Sequence, residues 1–380
     1  MADLGLLGFD GFDFAVANLP RSRQFYVERM DFAEVERATP ELVERTGQET
    51  SVFEAGEIRV AVSSPNRASA PLAAYLSRHP AGVTGLAFSV KSLDRAWQVL
   101  AARGATFLGE PTENEVEGGL YRAFEIATPL GEVAFRFVER RDFSLHAPGF
   151  EALPLTEPTN QLGFRLIDHV TSNAVTMMPV VLWYREVLGF EHYWDIQFHT
   201  ADMKKGPRGS GLKSIVMWDP ESKIKLATNE PLRPYFFDSQ INVFVQQNGG
   251  PGVQHIALRV PALIPVVDEL TRRGVQFLAT PPTYYEMLPD RLARVNVSTL
   301  KEPVEELARL GILVDGADDR YLLQIFLREA SALYRDERAG PFFYEIIQRA
   351  GHNGFGEGNF RALFEAIERE QFMAYQSPIG

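Results

Sequence analysis

The chain repeats itself, and the repeat constrains the fold more than any single motif. Gly82–Leu108 (GVTGLAFSVKSLDRAWQVLAARGATFL) aligns without a gap with Gly252–Leu278 (GVQHIALRVPALIPVVDELTRRGVQFL) at a constant offset of 170 (252 − 82). Each copy reads as an alternating strand, a helix, a glycine stop and a further apolar strand. The helical stripes correspond, Leu93, Ala96, Trp97 and Leu100 against Leu263, Val266, Val267 and Leu270, with the spacing of one buried face. Gly104 and Gly274 follow where a left-handed helix end is expected. Upstream, Leu7–Asn18 (LGFDGFDFAVAN) aligns with Leu162–Asn173 (LGFRLIDHVTSN) at an offset of 155 (162 − 7). The larger downstream offset places extra residues in the later copy, around Thr200–Gly211. A third stretch sets Glu132–Arg140 against Pro341–Arg349. Phe143–Asn160, rich in proline and loop residues, reads as a linker between domains at about 1–150 and 160–380. Strand-then-helix units begin at Phe12, Gly82, Ile167 and Gly252, two per domain. Four such units predict an α+β architecture of mixed curved sheets with helices outside.

The chemistry sits in one copy only. In the aligned columns His169 stands opposite Phe14, His255 opposite Gly85, and Glu345 opposite Arg136. Two neutral imidazoles and a carboxylate on one face of an octahedral ion leave three adjacent positions free, the arrangement that O2 chemistry on Fe(II) requires. The strand context agrees. In HIALRV, Ile256, Leu258 and Val260 point one way and His255 the other. Glu345 interrupts the apolar run FFYEII, where a carboxylate is costly unless paired or metal-bound. Structural roles compete with this reading: a strand histidine is commonly a hydrogen-bonded core residue, and Arg349 lies on the same strand face to pair with Glu345. Three such positions absent together from the other copy favour a shared site. Among the other histidines, His192 and His199 are the rival ligands, while His79, His146 and His352 lie in loop-like sequence and are expected to be solvated.

Composition excludes several classes. A formal charge of −12 argues against nucleic acid and anionic membranes as partners. With no cysteine, thiolate metal sites, iron–sulfur clusters, disulfides and cysteine nucleophiles are all removed. The N-terminus has no basic leader region and no apolar run approaches membrane-spanning length, so a cytoplasmic protein is expected. Gly354–Gly358 (GFGEG) lacks the following Lys-Ser/Thr and the βαβ context of a phosphate loop. Phe360–Glu370 reads as an amphipathic helix, either plain core packing or a lid over the site.

Several of these motifs, in order, resemble the 4-hydroxyphenylpyruvate dioxygenase family: IDHV at Ile167–Val170, GVQHIA at Gly252–Ala257, PPTYYE at Pro281–Glu286, LGILVD at Leu310–Asp315, LLQIF at Leu322–Phe326, and EIIQR followed by GFGEGNFRALFEAIERE up to Glu370. The resemblance covers most of 160–380 and is looser in 1–150. It implies the vicinal-oxygen-chelate fold, four βαβββ modules paired into two open-barrel domains, with metal ligands in the second domain only and a C-terminal lid helix. It implies Fe(II) held by His169, His255 and Glu345, chelated by the 2-oxo acid group of 4-hydroxyphenylpyruvate, with O2 as co-substrate and homogentisate and CO2 as products of tyrosine catabolism. Ser214, Asn229, Gln240, Gln254 and Gln324 would form the polar side of the pocket. Phe326, Phe355, Phe360 and Leu363 would form the apolar walls, with Asn359 at the lid. A homo-oligomer, dimer or tetramer, is also implied. Two features depart from the family pattern: Ala227 replaces a common proline, and Arg328–Gly340 is longer than expected. The rival activities are hydroxymandelate synthesis at the same iron, extradiol ring cleavage, and metal-free binding of a small molecule. Asn229 and Phe360 are dioxygenase-like where hydroxymandelate synthases typically differ.

Overall fold

The structure is a computed structural model that describes residues 3–116, 119–155, 159–199, 211–232, 239–356 and 358–359. The strands of the first half are β1 (Leu6–Ala15), β2 (Ala33–Ala38), β3 (Gln48–Ala55), β4 (Ile58–Pro65), β5 (Gly82–Val90), β6 (Thr112–Val116), β7 (Gly119–Ile126), β8 (Ala134–Arg141) and β9 (Phe150–Ala152). The second half carries β10 (Ile167–Asn173), β11 (Glu191–His199), β12 (Gly211–Trp218), β13 (Lys225–Pro231), β14 (Gly252–Arg259), β15 (Leu313–Ala317), β16 (Arg320–Phe326) and β17 (Phe343–Ala350).

The first sheet runs β6-β7-β8-β5-β1-β4-β3-β2-β9 and the second β11-β12-β13-β10-β14-β17-β16-β15. Without β9, which the linker adds to the edge through β2, the two orders are the same. Each sheet consists of two βαβββ modules in which the first strand lies parallel to the last, β1 with β4, β5 with β8, β10 with β13, and β14 with β17. Within each half the modules join through antiparallel first strands, β1 with β5 and β10 with β14. The fold is therefore α+β, two curled half-barrel sheets, as the repeat and the resemblance imply. The C-terminal lid helix lies outside the described residues.

Helices cover the sheets through the expected stripes. Leu93, Ala96 and Leu100 of Leu93–Ala102, and Leu263, Val266, Val267 and Leu270 of Leu263–Arg272, are buried. Gly104 and Gly274 take φ of 77° and 83°. The helix after β1, Leu19–Arg23, widens into a π turn over Gln24–Arg29, and the helix after β10, Met178–Trp183, does the same over Tyr184–Leu188.

Several expectations are corrected. The apolar strand expected after each glycine stop is a single bridging residue, Phe107 to Ile126 and Phe277 to Leu327. Phe107 meets the last residue of β7, and Phe277 the residue just past β16. The β1/β10 correspondence is displaced: Gly11 pairs with Ala87 as His169 pairs with Ala257, so the structural offset is 158 (169 − 11). His169 is thus equivalent to Gly11, not Phe14. Apolar residues on both strands made the shifted alignment look equally good. His79 and His146 are buried, not solvated: His79 Nδ1 lies 2.7 Å from the Asn248 carbonyl oxygen, and the His146 amide donates to Glu36. The long segment Arg328–Gly340 reaches across to the first half, where Asp336 accepts from Arg21 at 2.9 Å and the Ala81 amide donates to the Arg338 carbonyl. The insertion expected at 200–210 lies outside the described residues.

Candidate metal centre

His169, His255 and Glu345 converge from β10, β14 and β17 with ligand atoms all within 4.8 Å of one another. Both imidazoles direct Nε2 at the same carboxylate oxygen, Glu345 Oε2, His169 from 3.3 Å and His255 from 3.4 Å. The three side chains are buried. Glu345 Oε1 is buried with no hydrogen-bond partner among the described residues, an expensive state for a carboxylate oxygen in a dry interior. A cation in this cradle would satisfy it, so the donor set fits a divalent metal.

Backbone irregularities aim the two imidazoles. Asp168 is the extra residue of a bulge between the Ile167–Leu258 and His169–Ala257 pairs. Gln254 is the extra residue of a second bulge, between the Thr171–His255 and Ser172–Val253 pairs. A bulge turns two consecutive side chains toward one region. Accordingly, His169 Nδ1 lies 3.0 Å from Asp168 Oδ1 and His255 Nδ1 lies 3.1 Å from Gln254 Oε1. Both oxygens can only accept, so each Nδ1 carries the proton and each Nε2 lone pair faces the centre.

The electrostatics follow from that packing. Burial alone would raise the Glu345 pKa, but His169 and His255 reverse it to about 2. Burial likewise opposes a charged His169, yet Glu345 and Asp168 raise its pKa. At His255 burial prevails and the pKa falls. Asp168 is itself clamped by Arg349, Nη2 to Oδ1 at 2.6 Å and Nε to Oδ2 at 2.7 Å. Its carboxyl is held well below the usual range against the opposing effect of burial. Arg349 therefore serves Asp168 and not Glu345, which removes the competing explanation of the carboxylate in β17.

The Glyoxalase/Bleomycin resistance protein/Dioxygenase superfamily matches the chain twice, over residues 8–134 and 162–287, once in each half. A 4-hydroxyphenylpyruvate dioxygenase of Dictyostelium discoideum is 37% identical over 96% of this chain and 98% of its own length. One from Danio rerio is 34% identical over 96% and 91%. The chain belongs to the 4-hydroxyphenylpyruvate dioxygenase family. Among solved structures, a triple mutant of 4-hydroxymandelate synthase from Streptomyces coelicolor superimposes with a TM-score of 0.80 at 26% identity, over 97% of this chain and 99% of that one.

The other residues that the sequence resemblance implies are spread over several elements. Ser214 and Asn229 are cross-strand partners on β12 and β13, and Phe326 lies opposite Glu345 across β16 and β17. Phe355 meets the His169 ring at 4.8 Å. Gln324 is buried on β16 beneath Gly356, where a Cβ would come within 2.6 Å of Gln324 Oε1 at a φ of +75°. Gly356 thus permits close passage of the chain over Gln324. Gln240 opens the helix Gln240–Asn248, and Asn359, whose amide donates to the Gly356 carbonyl, accepts from the Tyr284 hydroxyl at 2.7 Å. Phe360 and Leu363 lie outside the described residues. Of the rival ligands, His192 is exposed beside Asp195, 3.0 Å away, while the side chain of His199 lies outside what is described.

Two participants were missed. Asp168 is visible in the sequence only as the residue before a ligand, and strand alternation points it to the opposite face. Asn173, whose Oδ1 accepts from Asn229 Nδ2 at 3.0 Å, gave no signal beyond its place in the repeat.

Proposed function

We propose that this chain converts 4-hydroxyphenylpyruvate and O2 to homogentisate and CO2 at a single Fe(II) held by His169, His255 and Glu345. The observation that carries this reading is the convergence of two Nε2 atoms on one carboxylate oxygen in a buried cradle. Bound there, Fe(II) would supply the Lewis-acidic, O2-reactive centre at which a 2-oxo acid can chelate.

The chain's own residues do the rest. Asp168 and Gln254 hold the imidazoles in the tautomer that offers Nε2, and ionised Glu345 supplies the single negative charge of the ligand set. Among the described residues Ser214 Oγ, Asn229 Oδ1 and Gln324 Oε1 are buried and meet no hydrogen-bond partner, which suits them to receive the polar ends of the substrate together with Gln240 and Gln254. Phe326 and Phe355 exclude water around the reacting ring, with Asn359, Phe360 and Leu363 assigned to the closing side. In this reading residues 1–150 form a vicinal-oxygen-chelate domain without metal ligands and 160–380 the catalytic domain. Assembly as a homo-oligomer in the cytoplasm completes it. No described helix is long and apolar enough to cross a membrane.

The likeness to 4-hydroxymandelate synthase keeps one alternative product in view. Purified protein supplied with Fe(II), ascorbate, O2 and 4-hydroxyphenylpyruvate is expected to release CO2 and form homogentisate, resolved from its isomer hydroxymandelate by chromatography against standards. Hydroxymandelate alone would overturn the product assignment and leave the metal chemistry standing.

A further inference from the structure

We propose that Lys225 is a positioning residue: its ammonium, lodged against the rings of Tyr193 and Phe355, holds Phe355 edge-on to His169 and fixes the stretch that follows β17. The inference rests on the reading of Phe355 as a wall of the substrate pocket.

Lysine is rarely buried without a partner, yet Lys225, the first residue of β13, is only 8% exposed. Its Nζ lies 5.1 Å from the Tyr193 ring centroid and 5.7 Å from that of Phe355, within cation–π range of both. Phe355 in turn stands 4.8 Å from the His169 ring at an interplanar angle of 60°, and stacks on Trp194. The backbone before Phe355 is pinned by the same neighbourhood. Tyr193 donates to the Asn353 carbonyl at 2.8 Å, and Arg349 Nη1 donates to the carbonyls of His352 and Gly354 at 2.9 and 2.8 Å. Lys225 acts on the ring itself, together with Trp194 and Tyr193.

The first half holds the equivalent stretch with the equivalent cation. Register pairs Phe12 with Val60 and Val170 with Leu226, which makes Arg59 the counterpart of Lys225. Arg59 Nη2 donates to the Ser144 carbonyl at 3.2 Å, and Arg140 Nη2 to the His146 carbonyl at 2.6 Å, after β8. Only in the second half does the stretch carry an aromatic ring over a metal ligand, and there the cation rests on the ring instead of a carbonyl.

The charge is conditional. Burial lowers the Lys225 pKa to about 8; Arg349, Arg259 and Lys223 push the same way and Asp168 opposes them. The phenol of Tyr193, its pKa raised by burial, faces Lys225 as a neutral group. The ammonium is present below that pH and is lost above it.

The test compares wild type with K225M, which keeps the length and removes the charge, and K225R, which keeps the charge. K225M is expected to raise KM for 4-hydroxyphenylpyruvate roughly tenfold with kcat changed about twofold at most, and K225R to restore KM. In the metal-free protein, with His169→Gln added to each so that its imidazole does not titrate beside Phe355, tryptophan fluorescence followed against pH should show a transition near the Lys225 pKa where the lysine is present, none with K225M, and one displaced upward with K225R. A transition left in place in K225M, or a K225M that matches wild type in KM, overturns the proposal. So does equal loss in both variants. Where K225M does not fold, K225R decides alone, because a transition that stays put in K225R also overturns it. If wild type makes no homogentisate, the proposed function fails while the fluorescence titration still decides the role of Lys225.

Discussion

The two halves share a framework and differ in what it holds. Both place a bulge before each of the positions in question, at Asp10 and Thr84 in the first half and at Asp168 and Gln254 in the second. Both clamp the first bulge residue with an arginine from the last strand, Arg140 on Asp10 at 3.0 Å and Arg349 on Asp168 at 2.6 Å. The ligand positions diverge completely, with Gly11, Gly85 and Arg136 where the second half has His169, His255 and Glu345. In the first half the guanidinium of Arg136 reaches Asp13 at 3.1 Å and Glu125 at 3.8 Å, so a tethered cation provides the positive charge that a metal would provide in the other. Neighbours have closed over the glycines: a Cβ at Gly11 would stand 2.7 Å from the Arg59 carbonyl oxygen, and one at Gly85 2.8 Å from Asp13 Oδ2. Strand pairing and bulges can therefore be kept while the ligand chemistry is replaced, because hydrogen bonds of the backbone set the first and side chains the second.

The strongest test of that separation exchanges equivalent residues. Glu345→Ala is expected to abolish turnover and weaken metal binding. Arg136→Ala should leave metal content and turnover intact while costing roughly 2–4 kcal/mol of stability by leaving Asp13 unpaired. Metal analysis and thermal melts read both, and metal loss in R136A would break the comparison.

Grafting the ligands sharpens it. A triple variant, Gly11→His, Gly85→His and Arg136→Glu, should bind no second equivalent of metal, because the close contacts at both glycines displace the imidazoles. A second equivalent found by titration calorimetry would mean that framework alone suffices.

Asp168→Asn should weaken metal affinity about 10- to 100-fold through loss of the hydrogen bond that orients His169. Asp10→Asn should change melting temperature only, which competition with a chelator can separate from any change in affinity.

The smallest effect concerns pH. The raised pKa of His169 adds stability to the metal-free protein at pH below the unfolded value of about 6.5, and that stability is lost as pH rises through the folded value. The melting-temperature advantage of metal-free wild type over His169→Gln should therefore shrink as pH rises above about 6.5. A gap that widens would mean that the imidazole is held neutral.

Much of the fold was legible because it rests on local periodicity. The stripes Leu93–Leu100 and Leu263–Leu270 and the left-handed glycines after them are written within single turns of chain. The ligand set was legible for a different reason: duplication supplied an internal control, and His255 against Gly85 needed no structure to be noticed. The errors lie where local pattern is silent. A bulge adds a residue without changing hydropathy, so the alignment of β1 with β10 slipped and Asp168 passed unnoticed. His79 and His146 sit in loop-like sequence, yet packing from the rest of the chain buries them.

From the order of residues alone came the repeat, the α+β class, and the choice of His169, His255 and Glu345, all in one copy, as the set that the fold brings together. Each depends on residue type, on periodicities within a turn or a strand, and on the alignment of one copy with the other. Tertiary structure decided the partner of Arg349, 181 residues from Asp168, the nitrogen each imidazole offers, and the cation beneath Phe355. Those outcomes depend on register between distant strands, where one added residue redirects a side chain while leaving the hydropathy pattern unchanged.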